Sequence, residues 1–161
     1  MPRDPKLLLP TKDFHVDPLQ LVEARALGAS AVLLIARALS PDELPALAAG
    51  ARALGLETLV EVRDEWELER AVACEAAVIG VNNRNLETLE IDAAVSERLL
   101  PLVPADRPAV YESGVRDRAD VEHAAACGAD AVLVGSSLSV ADDPSAAVRT
   151  LVGVTRRGRA T

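Results

Sequence analysis

The sequence predicts an α/β fold of six parallel strand–helix units, of the TIM-type (βα) barrel kind but two short of the eight that close such a barrel. Three observations predict it. Short continuous apolar runs alternate with helical patterns along the chain, each run ends in a polar or glycine cluster, and two distant segments repeat one pattern. Gly28-Ala29-Ser30-Ala31-Val32-Leu33-Leu34-Ile35 overlays on Gly128-Ala129-Asp130-Ala131-Val132-Leu133-Val134-Gly135. In both, a glycine ends a helix where a left-handed conformation carries little strain. The run that follows is apolar on both faces, as in a parallel strand covered by helices.

Strands are expected near Lys6–Leu9, Ala31–Ile35, Thr58–Val62, Val78–Asn82, Ala109–Glu112 and Ala131–Gly135. Helix starts are well marked between them. Ser40-Pro41-Asp42-Glu43 reads as a capping box with proline at the first helical position. Asp64 precedes Trp66-Glu67-Leu68 in the same style, Asp117 precedes Val121, and Asp143-Pro144 opens the last helix. Gly55 closes the helix before the third strand. Right-handed crossovers would join all six strands into one parallel sheet with helices outside. This gives one domain over residues 1–154 and a disordered tail over 155–161.

Composition excludes several classes. At 161 residues and half hydrophobic, the chain can bury a core without staples. Phe14, Trp66 and Tyr111 are its only aromatics, so Ala, Val, Leu and Ile must build that core. The net charge of -8 and the dispersed basic residues argue against nucleic-acid binding, which wants a basic face with stacking aromatics. Arg156-Arg157-Gly158-Arg159 reads as a solvated end. Cys74 and Cys127 read as buried reduced thiols rather than a disulfide framework. No apolar run approaches the ~18 residues of a membrane span, and a cytoplasmic protein is expected. No metal or cofactor is called for.

The chemistry lies at the strand ends, where β/α barrels bind ligands. Those ends read Lys12, Ala36-Arg37, Glu61, Asn82 with Arg84, Glu112-Ser113-Gly114 and Gly135-Ser136-Ser137. Lys12 and Glu61 form an acid–base pair: a lysine at a strand mouth can protonate an oxygen, and a carboxylate across the opening can accept a proton. An exposed Lys12-Asp13 turn and a solvated Glu61 are the plainer alternative. The two Gly/Ser loops suggest a phosphate site, because glycine lets backbone N–H groups approach an anion and serine adds a donor. A pair of simple turns is the alternative there.

Together, Leu9-Pro10-Thr11-Lys12-Asp13-Phe14, Val60-Glu61-Val62, Gly80-Val81-Asn82-Asn83-Arg84-Asn85-Leu86, Glu112-Ser113-Gly114-Val115 and Val134-Gly135-Ser136-Ser137-Leu138 resemble indole-3-glycerol phosphate synthase. The resemblance runs in order from about Leu7 to Leu151. It implies a barrel lyase of tryptophan biosynthesis that closes an indole ring from 1-(2-carboxyphenylamino)-1-deoxyribulose 5-phosphate, with loss of carbon dioxide and water. On that resemblance Lys12 is the general acid and Glu61 the general base. Asn82 and Arg84 orient substrate, and Glu112 supports the polar network. Ser113, Gly114, Gly135 and Ser136 hold the phosphate, while Phe14, Leu33, Ile35 and Leu86 line the pocket for the aromatic ring. His15 is given no role, and His123 is expected on a helix surface.

The match begins at the family's third strand, so the six units correspond to units three to eight. The first-strand glutamate and second lysine, and the Ser-Pro-Ser turn after them, have no counterpart. One positioned acid–base group is worth ~10²–10⁴-fold, so the chain alone is expected to be inactive or very weak. Two open sheet edges would invite pairing, which predicts a homo-oligomer, most simply a dimer. The alternatives are a working synthase completed by a partner, a non-enzymatic oligomeric scaffold or phosphate-binding remnant, and another phosphate-sugar barrel enzyme; Asn-Asn-Arg-Asn-Leu argues against the last.

Overall fold

A computed structural model describes residues 10–11 and 13–159. Its elements alternate as the sequence predicts: β1 (Pro10–Thr11), α1 (Pro18–Ala26), β2 (Ala31–Ile35), α2 (Glu43–Ala53), β3 (Glu57–Val62), α3 (Glu65–Ala73), β4 (Val78–Asn82), α4 (Ala94–Leu99), β5 (Ala109–Glu112), α5 (Arg118–Ala126) and β6 (Ala131–Leu133), then α6 (Ser136–Ser139) and α7 (Pro144–Leu151). The strands form one parallel sheet in chain order, β1 to β6, and among the described residues it is open between its first and last members. The expected first strand, Lys6–Leu9, lies outside the described residues. β6 stops two residues early, because Val134 and Gly135 turn into the short α6.

Local chemistry sets the boundaries. Gly28, Gly55 and Gly128 take left-handed φ values of 89°, 70° and 97° between a helix and the next strand. Asp64 caps α3 through Glu67 N (2.8 Å), and Asp117 caps α5 through Asp120 N (3.1 Å). Asp143 caps α7 through Ala146 N (2.9 Å). Ser40 and Glu43 exchange both bonds of the expected capping box, yet Pro41 and Asp42 form a turn and α2 begins only at Glu43.

The two faces of the sheet differ. Facing the helices, Val32, Leu34, Val60, Ile79, Val81 and Ala109 are fully buried with Leu44, Ala48 and Leu99 from α2 and α4. This layer is the core, built from small aliphatics as composition requires. The other face carries Leu33, Ile35, Glu61, Gly80, Asn82 and Glu112, of which Leu33, Ile35, Glu61 and Asn82 line an open cleft. Period-two alternation separates the two sets. Cys74 and Cys127 are free thiols; burial pushes both pKa values up.

The tail departs from expectation. Instead of fraying beyond Val154, it lies under the sheet as far as Arg159, whose side chain is 2% exposed. The Arg159 guanidinium donates to the carbonyls of Val103 (3.1 Å) and Gly128 (2.7 Å), and to Asp130 Oδ2 (2.8 Å). Arg156 pairs with the other Asp130 oxygen. Carbonyls in the connections before β5 and β6 supply acceptors that only the folded chain brings together.

Candidate active site

Strand register assembles the site. Ile35 pairs with Glu61, Glu61 with Gly80, and Asn82 with Glu112. Glu61 and Asn82 therefore stand diagonally on one face, two residues apart along the cleft floor. Asn82 Nδ2 donates to Glu61 Oε1 at 2.8 Å. Its Oδ1 accepts the Ser113 hydroxyl at 2.8 Å and the Arg84 backbone N–H at 2.9 Å. The backbone donor fixes which end of the amide is oxygen. Asn82 is thus the hub between the Glu61 carboxylate and the β5 loop.

Gly80 is the empty position that makes room. A Cβ there would overlap the Glu112 carboxylate and crowd Leu59 Cδ1 at 3.2 Å. Glu112 is 1% exposed and sits behind the cleft floor rather than on its lining. Glu61, at 5%, lines the cleft directly, which corrects the solvated alternative.

The cleft encloses about 970 Å³. Phe14, Leu33, Ile35 and Leu86 all line it, with Ile91 adding an apolar wall that sequence reading did not single out. Leu33 and Ile35 are buried in the floor, whereas Phe14 and Leu86 stand exposed at the rim. Ser113, Gly114, Gly135 and Ser136 converge on one side, so both Gly/Ser loops open into the same space. Ser113 and Gly114 hold left-handed φ values of 66° and 88°. Ser137 ties the second loop to the first by donating to Val115 O at 3.0 Å. Arg84 lines the cleft while its guanidinium donates to Leu89 O at 3.0 Å, which braces the β4–α4 loop. Lys12 lies outside the described residues.

Three further residues matter. His15 is buried, and its Nδ1–H donates to Leu33 O at 3.1 Å, pinning the segment after β1 to β2. His123 is half-exposed on α5, pairs with Glu97 at 3.2 Å and reaches the cleft edge. Asn83 is fully buried and bonds to Ser113 O, a link absent from the sequence reading. Its only sequence signal is its place beside Asn82, since alternation turns it to the opposite face.

The family model for indole-3-glycerol phosphate synthase matches residues 3–151. The indole-3-glycerol phosphate synthases of Opitutus terrae and of a Nocardioides species are 51% and 54% identical, over 85% and 89% of this chain. The chain spans about half the length of these curated relatives, 52% and 55%. Among solved structures, 3-hexulose-6-phosphate synthase from Salmonella typhimurium superposes with a TM-score of 0.70 over 84% of this chain and 67% of its own, at 17% identity. A mandelate oxidase gives a TM-score of 0.65 over 86% of this chain and 52% of its own, at 20% identity. These two likenesses speak to the fold, an open sheet of the barrel type. By its sequence and by the strand-end residues gathered in its cleft, the chain belongs to the indole-3-glycerol phosphate synthase family.

Proposed function

We propose that this chain carries the phosphate-binding and proton-accepting side of an indole-3-glycerol phosphate synthase site, acting on 1-(2-carboxyphenylamino)-1-deoxyribulose 5-phosphate in tryptophan biosynthesis. The observation that carries the reading is the hydrogen-bond chain from Glu61 through Asn82 to Ser113. It joins a cleft carboxylate to a Gly/Ser loop able to hold an anion. In this reading Ser113, Gly114, Gly135 and Ser136 take the phosphate, and Leu33, Ile35, Phe14 and Leu86 receive the aromatic ring. Glu61 accepts a proton as the ring closes, and Lys12 supplies the proton for departure of water. Arg84 and Glu112 hold the polar frame, and a cytoplasmic location goes with the reading.

We expect substrate binding with little or no turnover from this chain alone. Among the described residues the sheet is open between β1 and β6, which leaves that side of the cleft without a strand wall. A misplacement of ~1 Å among reacting groups costs ~10²-fold. Indole-ring fluorescence after mixing the chain with substrate tests this directly. Turnover near that of a full-length synthase would refute the expectation.

A second reading, oligomeric assembly, is favoured by the edges themselves. Among the described residues, β1 and β6 are the two sheet edges without a second strand neighbour, and Val140, Val148 and Val152 after β6 are exposed. In this reading two copies pair through these edges. Sedimentation at micromolar concentration would then give a dimer; a stable monomer would contradict it.

A further inference from the structure

Ser113 is the one residue of the two Gly/Ser loops that is not glycine and yet sits at positive φ, 66°. Serine does not hold this conformation unaided, so its surroundings must impose it. Two neighbours do so. Asn82 accepts the Ser113 hydroxyl, and Asn83 Nδ2 donates to the Ser113 carbonyl at 3.2 Å. Asn83 also donates its backbone N–H to Glu112 O at 3.0 Å, so it grips the β5 end at two successive carbonyls.

The other end of the Asn83 amide is anchored in the core. Oδ1 accepts the Ser96 N–H of α4 at 3.1 Å, and the Asn83 carbonyl accepts Asp92 N–H at 2.9 Å. Asn83 has no exposed surface and does not line the cleft. It therefore touches no ligand. Its polar groups instead join α4 and the β4–α4 loop to the turn that opens on the cleft, and its side chain also bonds to Tyr111 of β5.

We propose that Asn83 is a positioning residue that holds the Ser113-Gly114 turn in its anion-accepting shape. The inference rests on the reading of that turn as part of the phosphate site. Asn82 fixes the serine by its side chain and Asn83 by its backbone. Consecutive asparagines, the last residue of β4 and the one after it, hold one strained residue by its hydroxyl and by its carbonyl.

The test is titration of the chain with inorganic phosphate, read by the amide resonances of Ser113 and Gly114, in four proteins. These are the wild type, Asn83→Ala, Ser113→Gly and the double variant. Losing a conformational restraint of this size weakens binding about tenfold in Asn83→Ala. Glycine reaches positive φ without steric strain, so the double variant binds about as well as Ser113→Gly alone. A merely structural asparagine would give additive losses instead, and that result overturns the proposal. Asn83→Ser keeps an acceptor for Ser96 N–H and serves if Asn83→Ala does not fold. Failure of both to fold, unrelieved by Ser113→Gly, also overturns it. Phosphate binding by the wild type with no change in Asn83→Ala rejects the positioning role and leaves the site reading intact. No saturable binding by the wild type rejects the site reading itself.

Discussion

The side-chain amide of Asn82 is locked against Glu61, donating to Oε1 at 2.8 Å while its own oxygen receives two donors. Replacing Asn82 by Asp puts a second carboxylate where the donor stood. Two carboxylates at this distance share a proton, which raises the upper pKa of the pair. The folded state then binds more protons near neutrality than the unfolded chain, so the stability of the variant rises as pH falls from about 7 towards 4. Asn82→Asp is expected to lose about 1–3 kcal/mol at pH 7 and to regain part of it at pH 5. Urea denaturation at the two pH values measures this, and a loss of equal size at both would count against it.

Gly80→Ala probes the space behind the cleft floor. Its Cβ would overlap the Glu112 carboxylate and press on Leu59. Overpacking of this kind costs about 1–3 kcal/mol. The denaturation midpoint should drop accordingly, and a variant as stable as the wild type would show that Glu112 has free room to move.

The clasp under the sheet predicts a larger effect. Arg159→Ala removes a buried guanidinium from Asp130, leaving Arg156 as that carboxylate's remaining cationic partner. Breaking a buried ion pair from one side costs about 3–5 kcal/mol, and the surviving Arg156 contact puts this case at the low end. Deleting the residues after Val154 should cost at least as much. Thermal melts read both, and unchanged melting would mean that the tail adds nothing to the fold.

Asp120 makes the acid limb of stability partly local. Burial pushes its carboxyl up, but hydrogen bonds from the Arg116 side chain and backbone outweigh this and hold it below the usual carboxylate range. A depressed folded pKa contributes stability that is present above the unfolded value and lost as pH falls through the folded one. Asp120→Asn should therefore lose stability less steeply than the wild type below pH ~4. Parallel acid limbs in the two proteins would refute this.

The sequence was most legible where one local rule acts. β2, β4 and β5 end where the apolar runs end, and the aspartate caps of α3, α5 and α7 make the bonds their spacing implies. It was least legible where a residue's partner lies far along the chain. Arg159 reads as a solvated basic tail because nothing near it in sequence announces the carbonyls of Val103 and Gly128. Asn83 sits within a motif, but its link to Ser113 spans two strands. Glu61 looks exposed as a strand end, and only the register with Gly80 shows that Asn82 folds over it.

In the proposed function, one cleft takes the substrate phosphate at the two Gly/Ser loops and links it to Glu61 through Asn82. The most direct measurement is an NMR titration of the isotope-labelled chain with 1-(2-carboxyphenylamino)-1-deoxyribulose 5-phosphate. Saturable shifts are expected at the amides of Ser113, Gly114, Gly135 and Ser136, accompanied by the Asn82 side-chain amide. Absence of saturation, or shifts confined to the Asp130 end of the sheet, would contradict it.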